Sequence, residues 1–367
     1  MKLLIILLAS ALLAKPDTVV KYDLPAPSPE IPLLQADRTL DDTARILAGM
    51  DVEADSPFAY WMEKSLWKKH KKELDELWSG CGETLDKIGL LAGSDFADIN
   101  DRVEEVFYPF SGPDVAYVAS FYPKASHYWL FALEGTGSVP NLNKTSDRVF
   151  EKYRTALFYH LKHSYFITRR MQDDLHNSSI DGTISILMVF MARMNYRIMS
   201  VEYKTLHSDG SLTTSAKPSD AVEIHFFRPE ENREKVLTFL STNLKDGKIN
   251  SGTKVVLEHF NPETTVGYTK SCSYCMHGGH FSTVRGYMLG RAFAIIQDDT
   301  GVRYSVLKDD YDITLYGGYV KPLACFSEYC YQADLDKVYH HHGSDVRPID
   351  FRHGYNRPSS LIVARKK

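Results

Sequence analysis

Three short segments of this 367-residue chain carry side chains suited to catalysis or ligand binding. The first is the run Tyr-Pro-Phe-Ser-Gly-Pro-Asp at Tyr108–Asp114, in which two prolines and a glycine predict a rigid turn. Such a turn would aim Ser111, a candidate nucleophile, and the candidate binding residues Tyr108 and Asp114. The strand–Gly-x-Ser-x-Gly–helix pattern of a nucleophile elbow is missing here. A purely structural turn, with Asp114 accepting backbone N–H groups, is the alternative.

The second segment, Cys272–His280, offers two thiols and two imidazoles, which are ligand types that zinc prefers. Zinc sites usually draw ligand pairs from separated segments, whereas these four residues fall within nine positions. Haem attachment needs a histidine directly after the second cysteine, and Met276 stands there. We therefore predict no metal and no cofactor. His277 is either packed in the core or, in a catalytic interpretation, a general base.

The third segment, Gln297–Gly301, places two adjacent carboxylates at the end of a predicted strand. Neighbouring side chains on a strand point to opposite faces, so Asp298 or Asp299 would face a given pocket unless the chain has already turned. Either carboxylate is a candidate base, cation ligand or cap of the turn. Glu134 follows another predicted strand and allows the same interpretations.

Composition excludes several classes of protein. The chain has 43 Lys and Arg against 47 Asp and Glu, a net charge of -4, and 44% hydrophobic residues. These values are typical of a folded protein and exclude disordered, collagen-like and multi-span membrane chains. The dispersed charge argues against a nucleic-acid partner.

The N-terminus has the pattern of a secretory signal peptide. A basic start at Met1-Lys2 precedes the apolar stretch Leu3–Ala14, which is too short to span a bilayer. Small residues predict cleavage after Ala11 or Ala14, and an uncleaved anchor is the alternative. We therefore expect a bacterial periplasmic or secreted protein whose mature chain has no transmembrane span.

The domain prediction follows from changes in composition. Residues 1–14 are the signal peptide, and 15–36 form a proline-rich linker. Residues 37–200 then read as a helical N-terminal region plus a hairpin, and 201–367 as an α+β C-terminal part. One continuous domain over 37–367 is the alternative division.

Hydrophobic periodicity predicts the individual elements. Helices are expected over 57–78, 99–107, 146–171, 183–194, 230–244 and 281–293. Strands are expected over 115–121, 128–133, 198–203, 221–227, 254–260, 294–297, 312–319 and 360–364. The first two strands are expected to form the hairpin. The mixture of hairpins and helical connections favours an α+β fold with a mixed, largely antiparallel sheet and packed helices over a doubly wound fold.

The cysteines bear on the redox compartment. The chain has five, Cys81, Cys272, Cys275, Cys325 and Cys330. Thiols tend to pair in exported proteins, and an odd count leaves at least one free. Cys325 and Cys330 are close enough in sequence to close a small loop, although the sequence does not determine the pairing.

The three segments together resemble an uncharacterised family of exported bacterial proteins. The Tyr108–Asp114 run is similar to the family's most specific motif. The residues Ser273-Tyr274, Met276-His277, Phe281-Ser282 and Arg285 resemble a second signature. Gln297–Gly301 resembles a third, in which serine is more common at the place of Thr300. The similarity covers residues 85–367 and departs from the family at Cys272 and Cys275. It implies export and a shared fold but no reaction.

Two classes of function follow. The first is an envelope-associated or secreted protein that binds an unidentified ligand or envelope component. The second is a hydrolase of an envelope or extracellular substrate that uses Ser111, His277 and Asp298. We predict that the three segments converge on one cleft, with these residues and the binding candidates Asp114 and Arg285 on its walls. Arg285 would neutralise one of the acids. Substrate and oligomeric state do not follow from the sequence.

Overall fold

The computed structural model describes residues 33–166, 176–177, 180–341 and 345–367. The described residues from Leu34 onward belong to one compact unit. The predicted signal peptide and all but the end of the proline-rich linker lie outside the described residues.

The described part contains ten α-helices. They are α1 (Arg38–Leu47), α2 (Ser65–Gly93), α3 (Ala97–Asn100), α4 (Val115–Phe121), α5 (Val149–His163), α6 (Ile184–Arg193), α7 (Ser251–His259), α8 (Ser282–Arg291), α9 (Tyr304–Leu307) and α10 (Ala333–His341). Short 3-10 turns cover Ala59–Glu63, Cys275–His277, Gly279–Phe281 and Glu328–Cys330. Helix α1 begins where the Asp37 carboxylate accepts the N–H of Leu40 at 2.9 Å, which satisfies a donor that the helix itself leaves free.

Twelve strands are described. They are β1 (Glu105–Pro109), β2 (His127–Ala132), β3 (His176–Asn177), β4 (Ile180–Asp181), β5 (Arg197–Leu206), β6 (Leu212–Ser215), β7 (Ala221–Phe227), β8 (Glu234–Ser241), β9 (Thr265–Thr269), β10 (Ala294–Gln297), β11 (Tyr311–Gly317) and β12 (Ser360–Lys366). Ten of them form one sheet in the order β11-β12-β10-β9-β1-β2-β8-β7-β5-β6, and β3 pairs with β4 separately.

The predicted α+β class with a mixed, largely antiparallel sheet is confirmed. The ten-stranded sheet has five antiparallel pairings and four parallel ones. All four parallel pairings are in the centre, where β10, β9, β1, β2 and β8 run side by side. β2 and β8 lie on one side of β1 in the sheet. The strands that come later in the chain, β9 and β10, lie on the other side of β1. The direction of strand succession therefore reverses between β1 and β9.

The sheet has a core on each face because successive strand residues point to opposite sides. In β1, Val106 and Tyr108 pack in the cluster that includes Ile88 of α2. Phe107 lies between them in sequence and packs in the second cluster, with Leu257 of α7. The central strands are thus covered on both sides, as parallel sheets require.

The predicted hairpin is wrong. Residues Val115–Phe121 form helix α4, and this helix connects β1 to a parallel neighbour, β2. All seven residues of α4 are buried, so the segment is apolar all round and has no helical period to distinguish it from a buried strand.

Three other elements are of the opposite type to that predicted. The helix expected over 230–244 from the spacing of Val236, Leu237, Leu240 and Leu244 is instead strand β8. The strand expected over 254–260 is helix α7, which begins where Asn250 accepts the N–H of Thr253 at 2.7 Å. The helix expected over 99–107 is one turn, α3, followed by β1.

Candidate functional site

A cavity of about 160 Å³ lies at the carboxyl ends of four central strands. Its walls come from the residues that directly follow β1, β2, β8 and β9, because parallel strands end at the same edge of a sheet. We call it the carboxyl-edge cavity. Its lining includes Ser111, Asp114, Glu134, Asn243, Lys270 and Cys275.

A buried ion pair forms part of this lining. Lys270 Nζ lies 2.7 Å from Asp114 Oδ2, and both side chains are at most 2% exposed. The ammonium group also donates to the carbonyl oxygen of Ser164 at 2.6 Å and lies 3.3 Å from the ring centre of Tyr117. Tyr108 donates its hydroxyl to the Asp114 carboxylate at 3.1 Å. The pair is therefore enclosed by partners on both sides.

Burial and the mutual attraction of Asp114 and Lys270 act in opposite directions on this pair. Burial opposes ionisation of Asp114, but the attraction of Lys270 and the hydrogen bonds to the carboxylate outweigh it and lower the pKa of Asp114. Burial also lowers the pKa of Lys270, against the attraction of Asp114, while the acceptors around Nζ stabilise the ammonium form. Burial lowers the pKa of His160 to about 3, so this ring is neutral at 3.4 Å from Asp114.

The backbone around the cavity is strained. Four residues other than glycine, Phe110, Ser271, Ser273 and Tyr274, have φ between 52° and 59°. This left-handed region is uncommon for such residues and costs about 1–3 kcal/mol each in sparsely populated conformations. All four lie in the segments that follow β1 and β9, where the strand succession reverses. Strain concentrated at one place is typical of a functional site.

Glu134 is the one carboxylate of the lining that has no cationic partner among the described residues. It follows β2, is 5% exposed and receives no hydrogen bond from a described side chain. Burial raises the pKa of Glu134, and the nearby backbone N–H groups of Leu133 and Glu134 offset this only in part. Glu134 lines the cavity, so its carboxylate is a candidate acceptor for a ligand there.

Aromatic rings provide much of the apolar lining. Phe110 and Phe281 meet edge to face with their centres 5.2 Å apart, and Tyr165 and Phe166 complete this part of the wall. Such rings suit a flat or apolar ligand group. On the β8 side, Asn243 accepts the N–H of Lys245 at 3.0 Å. Its amide nitrogen has no described partner.

The predicted third segment lies at the same edge of the sheet but behind the cavity lining. Asp298 is fully buried and accepts the N–H of Ser271 at 2.8 Å, which fixes the turn after β9. Asp299 accepts the hydroxyl groups of Tyr274 and Ser360 at 2.7 and 2.9 Å. Burial and the neighbouring Asp299 raise the pKa of Asp298 to about 7. The two acids therefore support the wall without lining the cavity.

His277 and Arg285 have other contacts. His277 lies in the turn Cys275–His277 with its ring edge-on to Tyr274, and burial lowers its pKa to about 4. Arg285 donates to the carbonyl oxygens of Met276 and Gly278 at 2.8 and 2.9 Å. It thus closes this turn, and none of its described contacts is to an acid. Of the residues expected on one cleft, Ser111 and Asp114 line the cavity; His277, Arg285 and Asp298 do not.

Among the described residues, Ser111 has no partner of the kind that activates a nucleophile. Its hydroxyl donates to the carbonyl oxygen of Phe131 at 3.3 Å. Within the described ranges, no histidine or carboxylate forms a hydrogen bond with it. A serine nucleophile needs a base within hydrogen-bond reach.

The cysteines are all free thiols, including Cys325 and Cys330. Cys272 donates to the carbonyl oxygen of Thr300 at 3.0 Å, and Cys275 contributes to the cavity lining. The described residues contain no group of three or more His, Cys, Asp or Glu residues placed to hold a metal ion.

Sequence reasoning missed Lys270, the cation of the site. Strand β9 was not predicted, because its sequence Thr-Val-Gly-Tyr-Thr is short and contains glycine. All five of its residues are buried, so recognising it as a central strand would have placed Lys270 at the carboxyl edge.

No family model, curated protein or solved structure matches the chain. No helix in the described ranges is both long and apolar enough to cross a membrane.

Proposed function

We propose that this chain is an exported protein that binds a small-molecule ligand in the carboxyl-edge cavity. The single observation that carries the proposal is Glu134, a buried glutamate that lines the cavity without a described cationic partner. An ionised carboxylate held in this way costs free energy unless a ligand satisfies it. A structural role alone gives no reason for that cost.

The position of the cavity supports the same function. In open sheets with parallel strands, ligands bind outside the carboxyl ends, at the point where the succession of strands reverses. Here that point lies between β1 and β9, whose following segments supply Asp114 and Lys270. The mixture of aromatic walls and a few convergent polar groups is typical of small-molecule sites.

Export is the second half of the proposal and rests on the N-terminal pattern. The basic start, the short apolar stretch and the small residues at Ala11 and Ala14 support a cleaved signal peptide. The resemblance to exported bacterial proteins points the same way. Sequencing the N-terminus of the mature protein tests it, since cleavage after Ala11 or Ala14 is expected and an intact Met1 on exported material would contradict it.

Blocking the cavity tests ligand binding. A library of small fragments is screened against the purified protein by thermal shift and by ligand-observed NMR. Fragments that bind the wild type should lose binding to Cys275→Trp, whose large ring enters the cavity from its wall. They should still bind Cys325→Trp, the matched change at an exposed cysteine that does not line the cavity.

Two outcomes would contradict the proposal. One is fragment binding that Cys275→Trp leaves unchanged, since the fragments would then bind elsewhere. The other is a wild-type protein that binds no fragment at all. If Cys275→Trp does not fold, crystals of the wild type soaked with the fragments give the same answer by showing whether density appears beside Glu134.

The described site does not support hydrolysis by Ser111. Ser111 lines the cavity, but His277 and Asp298 do not, and no described base contacts its hydroxyl.

A further inference from the structure

We propose that the ligand of the carboxyl-edge cavity is a ribonucleoside that carries no negative charge at its 5′ position. This inference rests on the binding function proposed above and specifies the class of ligand. Three features of the cavity lead to it: the carboxylate of Glu134, the aromatic wall and the balance of charge.

The carboxylate selects a donor with two adjacent hydroxyl groups. An ionised carboxylate only accepts hydrogen bonds, and its two oxygens can take two parallel donors. The 2′ and 3′ hydroxyl groups of ribose are such a pair. Glu134 also has the position that fits this role, because it follows the second parallel strand, about 20 residues after the turn that ends β1. In dinucleotide-binding sheets, an acid at this position hydrogen-bonds the ribose.

The walls on either side suit a base. Phe110, Phe166 and Phe281 offer ring surfaces against which a flat heterocycle can pack. Asn243, which follows the neighbouring strand β8, has an amide nitrogen without a described partner. An amide can hydrogen-bond the polar edge of a base. The residues after β2 and β8 are adjacent because these strands pair in parallel, with Ala132 opposite Ser241. One ligand can therefore reach both Glu134 and Asn243.

The charges argue against a phosphate. Lys270 is the one cation among the described lining residues, and Asp114 neutralises it at 2.7 Å. Its ammonium group is also occupied by the carbonyl oxygen of Ser164. With Glu134 ionised, these three lining residues carry a net charge of about -1, which repels an anion in a buried site. The backbone N–H of Tyr117, in the first turn of α4, already donates to Asp114 and is therefore not free to bind a phosphate.

Calorimetric titration with defined nucleosides tests the inference. Adenosine, guanosine, cytidine and uridine are each titrated into the full-length mature protein. At least one should bind, and its 2′-deoxy analogue should bind about tenfold more weakly, because one oxygen of Glu134 then loses its donor. Its 5′-monophosphate should also bind about tenfold more weakly or not at all, because of the charge repulsion.

Two variants locate the effect. Glu134→Gln should weaken the ribonucleoside about tenfold and change binding of the deoxy analogue much less. Glu105→Gln is the matched control, since Glu105 is a half-buried glutamate at the start of β1, away from the cavity, where it accepts from Trp129 at 3.3 Å. It should leave all affinities unchanged.

The outcomes separate this inference from the function on which it rests. If fragments occupy the cavity and all four nucleosides fail to bind, the ligand class is wrong and the binding function stands. Equal affinity for the ribo and deoxy forms would refute the role of Glu134, and tighter binding of the monophosphate would refute the charge argument. These titrations use the wild-type protein, so they test the ligand class even if Glu134→Gln does not fold.

Discussion

The two edges of the central parallel strands place their charges differently. At the carboxyl edge, Asp114, Lys270 and Asp298 are all at most 3% exposed. At the amino edge, two ion pairs are on the surface: Lys124 with Asp101 at 2.6 Å, and Arg102 with Glu263 at 2.6 Å. Their side chains are between 46% and 77% exposed. The amino edge also holds a buried lysine, Lys235 at the start of β8, but its partner Glu231 is 32% exposed. Both members of the Asp114–Lys270 pair are buried at the carboxyl edge.

This difference supports the proposal that the carboxyl edge is the functional one. Ion pairs in water contribute little to stability, whereas burying charges costs several kcal/mol per ion before the partner compensates. The amino edge closes with backbone hydrogen bonds, such as that from Ser126 to Glu104 at 2.9 Å, and with the buried Lys235, and it does so without a pair in which both charges are buried. The strained backbone at Phe110 and Ser271 adds to the cost at the carboxyl edge.

The largest expected effect comes from removing one half of the buried pair. Lys270→Met leaves the Asp114 carboxylate buried without its partner and should lower the free energy of unfolding by about 3–5 kcal/mol. Lys124→Met, the matched change at the amino edge, should cost less than about 1 kcal/mol. Urea unfolding of both variants measures the difference.

The double variant sharpens this comparison. Asp114→Asn together with Lys270→Met removes both charges and should recover part of the stability that Lys270→Met loses, because no uncompensated charge remains. Equal costs for the two lysine variants, or no recovery in the double variant, would show that the edges do not differ as described.

A second effect depends on pH. The pKa of Asp298 in the folded protein is raised to about 7, so the folded state holds a proton that the unfolded chain has already lost above about pH 4. The protonation of Asp298 therefore stabilises the folded state at low pH, and this stabilisation is lost as the pH rises towards and through about 7. Relative to Asp298→Asn, the wild type should lose more than about 1 kcal/mol of stability between about pH 5 and pH 8.

The control for this effect is Asp101→Asn, at the amino edge. Unfolding free energies of the three proteins are measured at both pH values. Asp101→Asn should keep the wild-type pH dependence, since its carboxylate is 66% exposed. A wild type and Asp298→Asn with parallel pH profiles would mean that Asp298 is not protonated more readily in the folded state.

A smaller effect is expected at Ser111. Its hydroxyl makes one hydrogen bond, to the carbonyl oxygen of Phe131, which also accepts the Ser111 N–H at 3.0 Å. Ser111→Ala therefore leaves no buried group without a partner and should cost less than about 1 kcal/mol. Thermal unfolding measures it. A much larger loss would place Ser111 among the structural supports of the edge.

The sequence predicted part of this organisation. The turn at Tyr108–Asp114, the strand Ala294–Gln297 and the helix Ile184–Arg193 could be recognised because their signals are local: turn residues in one case and bounded apolar runs in the others. The α+β class followed from the mixture of such elements. The rigid turn identifies Asp114 as a binding candidate, and the end of a predicted strand identifies Glu134.

The rest depends on long-range pairing. Val115–Phe121 is buried on every side, so its sequence does not show whether it is a helix or a strand, and the error turned a parallel crossover into a hairpin. The ion pair between Asp114 and Lys270 joins residues 156 positions apart through the pairing of β1 with β9, which neither segment encodes locally. The same limit applies to His277 and Arg285, whose local sequence does not indicate that they face away from the cavity.

The most direct test of the central claim, that the carboxyl edge is a ligand site maintained at a cost in stability, is the unfolding free energy of Glu134→Gln without ligand at about pH 8. Burial raises the pKa of Glu134, so its ionised form is unfavourable in the folded protein and the neutral amide should relieve this. We expect the variant to be as stable as the wild type or more stable by up to about 1 kcal/mol, although it binds ligand less well. A loss of more than about 1 kcal/mol would contradict the account, because the carboxylate would then stabilise the fold.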